Sequence, residues 1–355
     1  MKKNNVLTIV IVFVLSFMGI SACNNSEKEA EKQAQAQLGG LKAQLAQLNE
    51  KVPQLKRLSE QIAQTPENAE LYYVRGQLLS QMNEPELAVA DLTYAIRRDS
   101  SQANYYIAAA NLYFSGNHGD RAIELLEQAK AKKLSEATVM TQLGQYYFYM
   151  QQYDKATENL LEALKINNNN SQANFWLGMV YRDQKNNDQA IEVLEKSVAQ
   201  NPNSYNAQMI LAQTYGAEKN RKAVEHYDKA ILLDTTKVEA NYGKAMFYQS
   251  MGEYDNAMAE YKRLLLRDAQ YTNAFYNIGH IYFYEKKQYD KAYTNFDIAV
   301  KTSPANANAY FMRGLCAEKL GKKEDARRDY DSALTFNPDL KEAQIALDAL
   351  QKKDS

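Results

Sequence analysis

The sequence predicts an all-α solenoid of eight helix-turn-helix units, with an additional capping helix at each end. The first observation behind this prediction is an alanine that recurs every 33 to 35 residues. The recurring alanines are Ala88, Ala122, Ala156, Ala190, Ala223, Ala257, Ala292 and Ala326. The second is that other small residues and other bulky residues recur with the same period. The third is that, within each half of a unit, these residues are three, four or seven positions apart, which places them on one face of a helix. Such a period is typical of stacked units that bury one shared core.

Each unit is predicted to consist of two helices joined by a short turn. A bulky residue follows each alanine by four positions: Leu92, Leu126, Leu160, Leu194, Tyr227, Tyr261, Phe296 and Tyr330. A glycine or alanine precedes it by about twelve: Gly76, Ala110, Gly144, Gly178, Ala212, Ala245, Gly279 and Gly314. Small residues let two helices approach closely, and the bulky residue fills the neighbouring gap. Turn sequences such as Ser115-Gly116-Asn117 separate the two helices.

The period changes at two turns. The fifth unit is one residue short around Lys219-Asn220-Arg221, and the seventh is one residue long around Lys286-Lys287-Gln288. Both changes fall between helices, where a difference in length disturbs no core position. We therefore interpret them as neutral variation rather than as hinges.

This order of small and large positions resembles the tetratricopeptide repeat (TPR), a 34-residue unit. The resemblance covers Ala69 to about Leu340, with units that start near residues 69, 103, 137, 171, 205, 238, 272 and 307. The closing proline of the family occurs in three units, as Pro202, Pro304 and Pro338. The resemblance implies a right-handed superhelical solenoid whose first helices line an inner concave surface.

The N-terminus resembles the signal peptide of a bacterial lipoprotein. Lys2 and Lys3 precede an apolar run of 15 residues from Val6 to Ile20, which is shorter than the roughly 20 residues of a transmembrane helix. The sequence Ile20-Ser21-Ala22-Cys23 that follows resembles a lipobox. The resemblance implies removal of a signal peptide over residues 1–22 and attachment of acyl chains such as palmitate to Cys23. An ordinary secretory peptide and an uncleaved anchor are the alternatives.

The residues after Cys23 indicate the membrane in which the lipid anchor is expected to lie. Asn24 is not the aspartate that tends to retain enteric lipoproteins in the inner membrane, so it favours the outer membrane. The acidic run of surface-exposed lipoproteins in Bacteroidota-like bacteria is interrupted here, in Ser26-Glu27-Lys28-Glu29. We expect an outer-membrane lipid anchor in a Gram-negative, Bacteroidota-like bacterium, with the chain facing the periplasm. Surface exposure is the alternative.

The segments that flank the units are expected to cap them. Residues 23–53 form a tether in which leucines from Leu38 onward follow a spacing close to a heptad, so a short self-associating coiled coil is one interpretation. Gly39-Gly40 and Pro53 are expected to interrupt that helix. The preferred interpretation is a capping helix within residues 54–68 that uses Leu55, Leu58 and Ile62. Residues 341–355 form the C-terminal capping helix.

Composition argues against several classes of function. The chain has 42 basic and 43 acidic residues, a net charge of −1, and no long basic run, so nucleic acid is not an expected partner. Its three histidines lack a ligand spacing, and no nucleophile or phosphate-binding motif occurs. Cys316 falls where a small apolar core residue belongs. We expect no enzyme, no metal, no cofactor and no small-molecule substrate.

The resemblance places a peptide-binding groove at positions 2, 5, 9 and 12 of the units. The candidate groove residues are Tyr73, Asn104, Ile107, Asn111, Phe114, Gln145, Phe148, Phe175, Met179, Met209, Gln213, Tyr242, Met246, Asn273, Tyr276, His280, Phe283 and Phe311. Amides both donate and accept hydrogen bonds and suit a peptide backbone, while aromatic rings supply binding area with few rotors to freeze. Positions 5 and 12 are expected to be the most exposed.

These residues predict a protein-binding scaffold. Position 5 carries no lysine or arginine in any unit, which argues against the carboxylate clamp of chaperone-binding members of the family. The expected function is a membrane-anchored scaffold that binds a neutral, partly hydrophobic peptide or helix of an envelope protein, in support of assembly or secretion of an envelope complex. The alternative is a structural component of the envelope that self-assembles through the segment from Leu38 to Ile62.

Overall fold

A computed structural model describes residues 26–134 and 136–354 of the chain. Over these residues it contains nineteen α-helices and no strand, which confirms the predicted all-α class. None of the helices described there combines the length and apolar character needed to cross a membrane. The predicted signal peptide and the lipidation site at Cys23 lie outside the described residues.

Sixteen of the helices form the eight predicted pairs, here called repeats 1 to 8. The first helices are Ala69–Gln81, Ala103–Ser115, Ala137–Tyr149, Ser171–Asp183, Tyr205–Ala217, Glu239–Ser250, Thr272–Tyr284 and Ala307–Lys319. The second helices are Pro85–Arg98, Gly119–Ala131, Tyr153–Ile166, Asn187–Gln200, Lys222–Leu233, Tyr254–Leu265, Tyr289–Thr302 and Lys323–Phe336. Repeat 6 begins at Glu239, one residue later than its period suggests.

The described residues divide into two compact units, one that ends at Val180 and one that begins at Tyr181. In both units the recurring alanines are fully buried, and the bulky residues four positions later are buried beside them. Gly144 in the first unit faces Leu160, and Gly314 in the second faces Tyr330. The small and large positions of the repeat therefore meet at close helix-helix contacts, as their spacing predicts.

The turn inside each repeat has one residue in the left-handed backbone region. Six of these residues are not glycine: Asn83, Asn117, Gln151, Lys185, Lys219 and Lys287, with φ between 51° and 62°. Gly252 and Gly321 take the same place in repeats 6 and 8, with φ of 75° and 76°. A left-handed residue ends the first helix and reverses the chain into the second.

The two changes of period are absorbed at these turns. In repeat 5 the second helix starts at Lys222, whose backbone N–H donates to the side chain of Asn220 at 3.0 Å. In repeat 7 the extra residue lies between Glu285 and Gln288, before the second helix begins at Tyr289. Ala223 and Ala292 remain fully buried, so the core register is unchanged.

Two helices precede repeat 1, at Ser26–Lys51 and Pro53–Gln64. The first runs through Gly39 and Gly40, so the expectation that these glycines interrupt it was wrong. A glycine costs only about 1 kcal/mol inside a helix, and no side chain lies within 4 Å of either one. Both helices pack on the first repeat. Leu41, Leu45, Leu48 and Val52 lie against a core of Leu55, Leu79, Leu87 and Ala88.

The last helix, Lys341–Asp354, packs on repeat 8. Leu347 and Leu350 are buried with Ala317, Ala326 and Tyr330 in one core cluster. Ile345 points to solvent, with 68% of its surface exposed. The helix therefore covers the second helix of repeat 8 with one apolar stripe.

Buried ion pairs also link the two helices of some repeats. In repeat 1 the guanidinium of Arg75 donates to both carboxylate oxygens of Asp91, at 2.6 and 2.7 Å. Arg313 and Asp329 repeat this arrangement in repeat 8, at 2.9 and 2.6 Å. Bidentate pairs of this kind fix the relative orientation of the two helices.

Candidate functional site

The candidate groove residues all lie on the first helices, but their exposure differs by position. Positions 2 and 9 supply the exposed members: Asn104, Asn111, Gln213, Met246 and Asn273. Positions 5 and 12 are mostly half-buried, against expectation: Tyr73, Ile107, Phe114, Phe148, Phe175, Tyr242, Tyr276 and Phe311. Gln145, Met179 and His280, at position 9, are also half-buried.

Two predicted groove residues are buried and cannot present their side chains to a partner. Met209 is 7% exposed and Phe283 is 8% exposed. Phe283 lies in a core cluster with Phe296, Met312 and Cys316. Position 5 is half-buried because its side chains pack on neighbouring helices, as when the ring of Tyr73 lies 4.9 Å from that of Tyr105 in the next repeat. Positions 2 and 9 therefore carry most of the exposed polar surface.

In the first compact unit a cavity of about 410 Å³ lies between the first helices of repeats 1 and 2, with Leu92 of the second helix of repeat 1 also in its lining. Its polar lining consists of side-chain amides and hydroxyls, from Gln77, Ser80, Gln81, Asn111 and Ser115. Its apolar lining is Leu92, Ala108 and Leu112. No charged side chain lines it, so a neutral ligand enters without leaving a buried charge unpaired.

An aromatic cluster lies beside this cavity, on the first helices of repeats 2, 3 and 4. The rings of Phe114 and Tyr146 are stacked at 4.1 Å, and the ring of Tyr149 lies 5.4 Å from that of Phe114. Trp176 contacts both Phe148, at 5.6 Å, and Tyr149, at 5.3 Å. Tyr149 is 52% exposed, so the cluster presents an aromatic surface to solvent.

Trp176 is the functional candidate that the sequence reasoning missed. It occupies position 6, outside the positions assigned to the groove, and it is the only tryptophan of the chain. Its indole Nε1–H is buried and has no hydrogen-bond partner among the described residues. Buried polar groups are nearly always paired, so an unpaired indole donor is unusual. The rarity of tryptophan in this sequence was the available signal.

Two side-chain amides near the cluster already accept hydrogen bonds from neighbouring side chains. The hydroxyl of Tyr146 donates to Oδ1 of Asn111, and Nε2 of Gln142 donates to Oε1 of Gln145 at 2.9 Å. Burial raises the pKa of the Tyr146 hydroxyl, so the hydroxyl stays protonated and can donate. These bonds occupy one acceptor site on the oxygens of Asn111 and Gln145, whose side-chain N–H groups do not donate to another described residue.

The second compact unit has a related surface on repeats 6 and 7. Asn277 donates through Nδ2 to the hydroxyls of Tyr242 and Tyr261, both at 3.1 Å. The ring of His280 lies 4.4 Å from that of Tyr284, and Met246 is 41% exposed. Burial lowers the pKa of His280, which favours a neutral ring at pH 7. This surface too is aromatic and uncharged.

A larger cavity, of about 640 Å³, lies on the second helices of repeats 4 and 5. Val198, Ala199, Pro202, Leu232 and Leu233 form its apolar lining. At its floor His226 Nδ1 and Gln208 Oε1 are 2.7 Å apart. We favour the first-helix surface as the binding site because the second-helix cavity is flanked by the exposed ion pairs Glu225–Lys229 and Glu195–Lys222. A partner would have to disrupt or desolvate these charges.

The described residues offer little support for catalysis. Over that part of the chain no three potential ligands among His, Cys, Asp and Glu side chains are grouped to hold a metal ion. Cys316 is buried in the core of repeat 8, and burial raises the pKa of its thiol to about 12. A thiol with that pKa is protonated at pH 7 and is a poor nucleophile.

Comparison with known proteins identifies the repeat. Models of the tetratricopeptide repeat match residues 73–135, 147–214, 238–271 and 276–341. These segments together cover more than half of the chain. The chain is a tetratricopeptide-repeat protein. Such repeats are protein-interaction modules, typically without enzymatic activity.

Individual relatives match only parts of this TPR protein. It is 29% identical over 136 residues to the Protein CTR9 homolog of Arabidopsis thaliana, which is 38% of this chain and 12% of that protein. It is 28% identical over 103 residues to the Hsp70-Hsp90 organizing protein 3 of the same plant, which is 28% of this chain and 18% of that protein. The chain thus spans less than a fifth of the length of either relative.

A solved structure shares the fold over a longer stretch. The C-terminal part of a TPR repeat-containing protein from Cytophaga hutchinsonii aligns with a TM-score of 0.58 at 16% sequence identity. The alignment covers 69% of this chain and 99% of that structure. At this identity the likeness shows the fold alone.

Proposed function

We propose that this TPR protein is an interaction scaffold that binds a segment of another protein on its first-helix surface. The observation that carries the proposal is the amide-lined cavity of repeats 1 and 2 with the aromatic cluster beside it. The two features lie within one compact unit, and the cavity has no charged lining residue. Amides can pair with peptide groups, and rigid aromatic rings bury large apolar area at a low cost in side-chain entropy.

The bound segment is expected to be neutral and partly hydrophobic. A charged peptide side chain would lose its hydration in the cavity without gaining a counter-charge. The first-helix surface also lacks a basic residue at position 5, so it offers no clamp for a terminal carboxylate. The second compact unit supplies a further uncharged surface around Tyr242, Met246 and His280.

The scaffold is proposed to be anchored to a bacterial membrane by acyl chains on Cys23. The support for this is the sequence around Cys23, with an apolar run of 15 residues and small residues before the cysteine. The anchor would hold the bound partner at the envelope, where assembly or secretion of an envelope complex is the process that we propose. We expect the protein to be labelled when cells are grown with a palmitate analogue. The Cys23→Ser variant should not be labelled.

Photo-crosslinking in the native host tests the binding surface. Probes at Tyr149 and Met246, both exposed on first helices, should capture an envelope protein. A probe at Lys229, on the second-helix cavity, serves as the control and should not capture it. Capture through Lys229 alone would move the site to the second helices and refute the proposal.

A further inference from the structure

The first-helix surface of repeats 2 to 4 carries side-chain N–H donors that lack an acceptor among the described residues. The oxygens of Asn111 and Gln145 already accept from Tyr146 and Gln142. Over the described residues, the Nδ2 group of Asn111 and the Nε2 group of Gln145 do not donate to another side chain or to the backbone. Trp176 can only donate, and its Nε1–H has no partner there either.

Three aromatic rings accompany these donors. Tyr149, Phe114 and Trp176 form a connected group, in which the Tyr149 ring lies 5.4 Å from that of Phe114 and 5.3 Å from that of Trp176. This surface therefore combines side-chain N–H donors with aromatic rings on the same set of helices. A ligand that is rich in acceptors and poor in donors, with compact apolar groups to cover the rings, matches this surface.

Among peptide conformations, polyproline II fits this pattern. Proline has no backbone N–H, so a proline-rich segment presents carbonyl acceptors and no backbone donor. A polyproline II helix has no internal hydrogen bonds, which leaves every carbonyl available. An α-helix pairs most of its backbone groups internally, and an ordinary extended strand brings one N–H donor for each carbonyl, whereas these three side chains offer unpaired donors.

We propose that this surface binds a proline-rich segment in the polyproline II conformation. Carbonyl groups of the segment accept from Trp176 Nε1, Asn111 Nδ2 and Gln145 Nε2, and its pyrrolidine rings pack on Tyr149 and Phe114. Because Trp176 Nε1 is buried, binding requires a neighbouring side chain to move aside, and we assign this movement to Tyr149, which is half exposed and whose ring lies 5.3 Å from that of Trp176. The inference rests on the proposed function, since it names the partner class for the same surface.

The single tryptophan makes binding directly measurable. Decaproline, the probe, is titrated into the full chain in detergent while the emission of Trp176 is recorded. We expect a saturable change in intensity and wavelength below about 1 mM peptide. A Gly/Ser decapeptide of equal length should give no change, because it is flexible and carries a donor at every residue.

Two variants test the donors, with labelled decaproline and fluorescence anisotropy as the readout. Trp176→Phe keeps an aromatic ring but removes the indole donor, and Asn111→Asp replaces the Nδ2 donor by an acceptor while keeping the oxygen that Tyr146 uses. Each should weaken binding by about three- to tenfold, the usual effect of one hydrogen bond. Asn169→Asp, the same change in an exposed turn of this unit, should leave affinity unchanged.

Circular dichroism at matched temperatures confirms that each variant is folded. Equal binding of decaproline and the Gly/Ser peptide would overturn the inference, and so would absence of binding at about 1 mM. Preferential binding of an amphipathic helical peptide would overturn it as well. Because crosslinking from Tyr149 tests the surface without regard to ligand class, capture of a partner through a proline-free segment would refute only the polyproline inference.

Discussion

At Gly144 the backbone of one helix lies so close to the next that there is no room for a methyl group. A Cβ atom added there would lie 2.4 Å from Cγ and 2.6 Å from Cδ2 of Leu160. Leu160 is itself fully buried, so it has little space into which to move. The small residue at this place in the repeat is therefore required by packing rather than by backbone conformation.

Replacement of this glycine should destabilise the protein. Gly144→Ala gains helix propensity of about 1 kcal/mol but is expected to lose about 2–3 kcal/mol to overpacking, because the added Cβ would meet Leu160 at 2.4 Å, for a net decrease in the free energy of unfolding. Urea denaturation followed by circular dichroism measures the change. Gly216→Ala is the matched control, because its nearest neighbour would be Phe247 Cδ2 at 3.5 Å. Equal stability of the two variants would contradict the packing argument.

Sequence spacing identified the core residues better than the site residues. The recurring alanines follow a strict period because helix contacts tolerate no change in size, and all eight are fully buried. The exposure of each groove side chain depends instead on the size of the side chains on the adjacent helices. Phe283 is buried because it packs with Phe296 and Met312, and Trp176 joins the site from position 6 through rings on the first helix of the preceding repeat. The pattern of one repeat does not show which side chains of the neighbouring repeats pack on Phe283 or on Trp176.

At the scale of whole elements, the prediction of eight helix pairs is confirmed. Of the two helices before them, the first is longer than the glycines suggested and runs from Ser26 to Lys51. Its leucines at 41, 45 and 48 lie against the core of repeat 1, so the seam that resembles a coiled coil is already used within the chain. Heptad-like spacing alone could not distinguish this intramolecular contact from self-association.

Charges introduced into that seam should therefore lower stability without changing the mass of the particle. Leu45→Glu combined with Leu48→Glu is expected to reduce the free energy of unfolding by about 2 kcal/mol, since two partly buried leucines lose their apolar contacts. Light scattering coupled to size exclusion should give the same mass before and after. Ala43→Glu with Gln47→Glu adds the same charge on the exposed face and should leave stability unchanged. Dissociation of an oligomer by the leucine variant alone would instead support self-assembly.

Across the whole molecule, a chain built from repeats lacks one central core, and each repeat depends on its neighbours. Local changes in charge can therefore affect one part of the chain more than another. Both histidines with a lowered pKa, His226 and His280, lie in the second compact unit. Burial is the main cause in both. Lys229 and Lys222 add to the effect at His226, while Glu225 and Glu195 oppose it.

Mild acid should consequently destabilise this protein. A folded-state pKa below the ordinary value of 6.5 means that the unfolded chain takes up protons first as the pH falls. The contribution of these two histidines to the free energy of unfolding is fully present above about pH 6.5 and is lost as the pH falls toward their folded-state pKa. Urea denaturation at about pH 7.5 and about pH 5.5 measures the loss. The double variant His226→Gln, His280→Gln should show a smaller difference between the two pH values, and an unchanged difference would refute the assignment.

The turns within the repeats have a consequence for laboratory evolution of this protein. Six of them place a residue other than glycine in the left-handed region, which costs an L-amino acid roughly 1 kcal/mol. Substitution by glycine at each would relieve that cost one step at a time, and sites in separate repeats should combine nearly additively. None of the six residues lies on the first-helix surface. A series of variants with increasing stability could therefore be prepared in which the binding residues are unchanged. Mutations that alter ligand preference at a cost in stability could then be selected in the most tolerant of them.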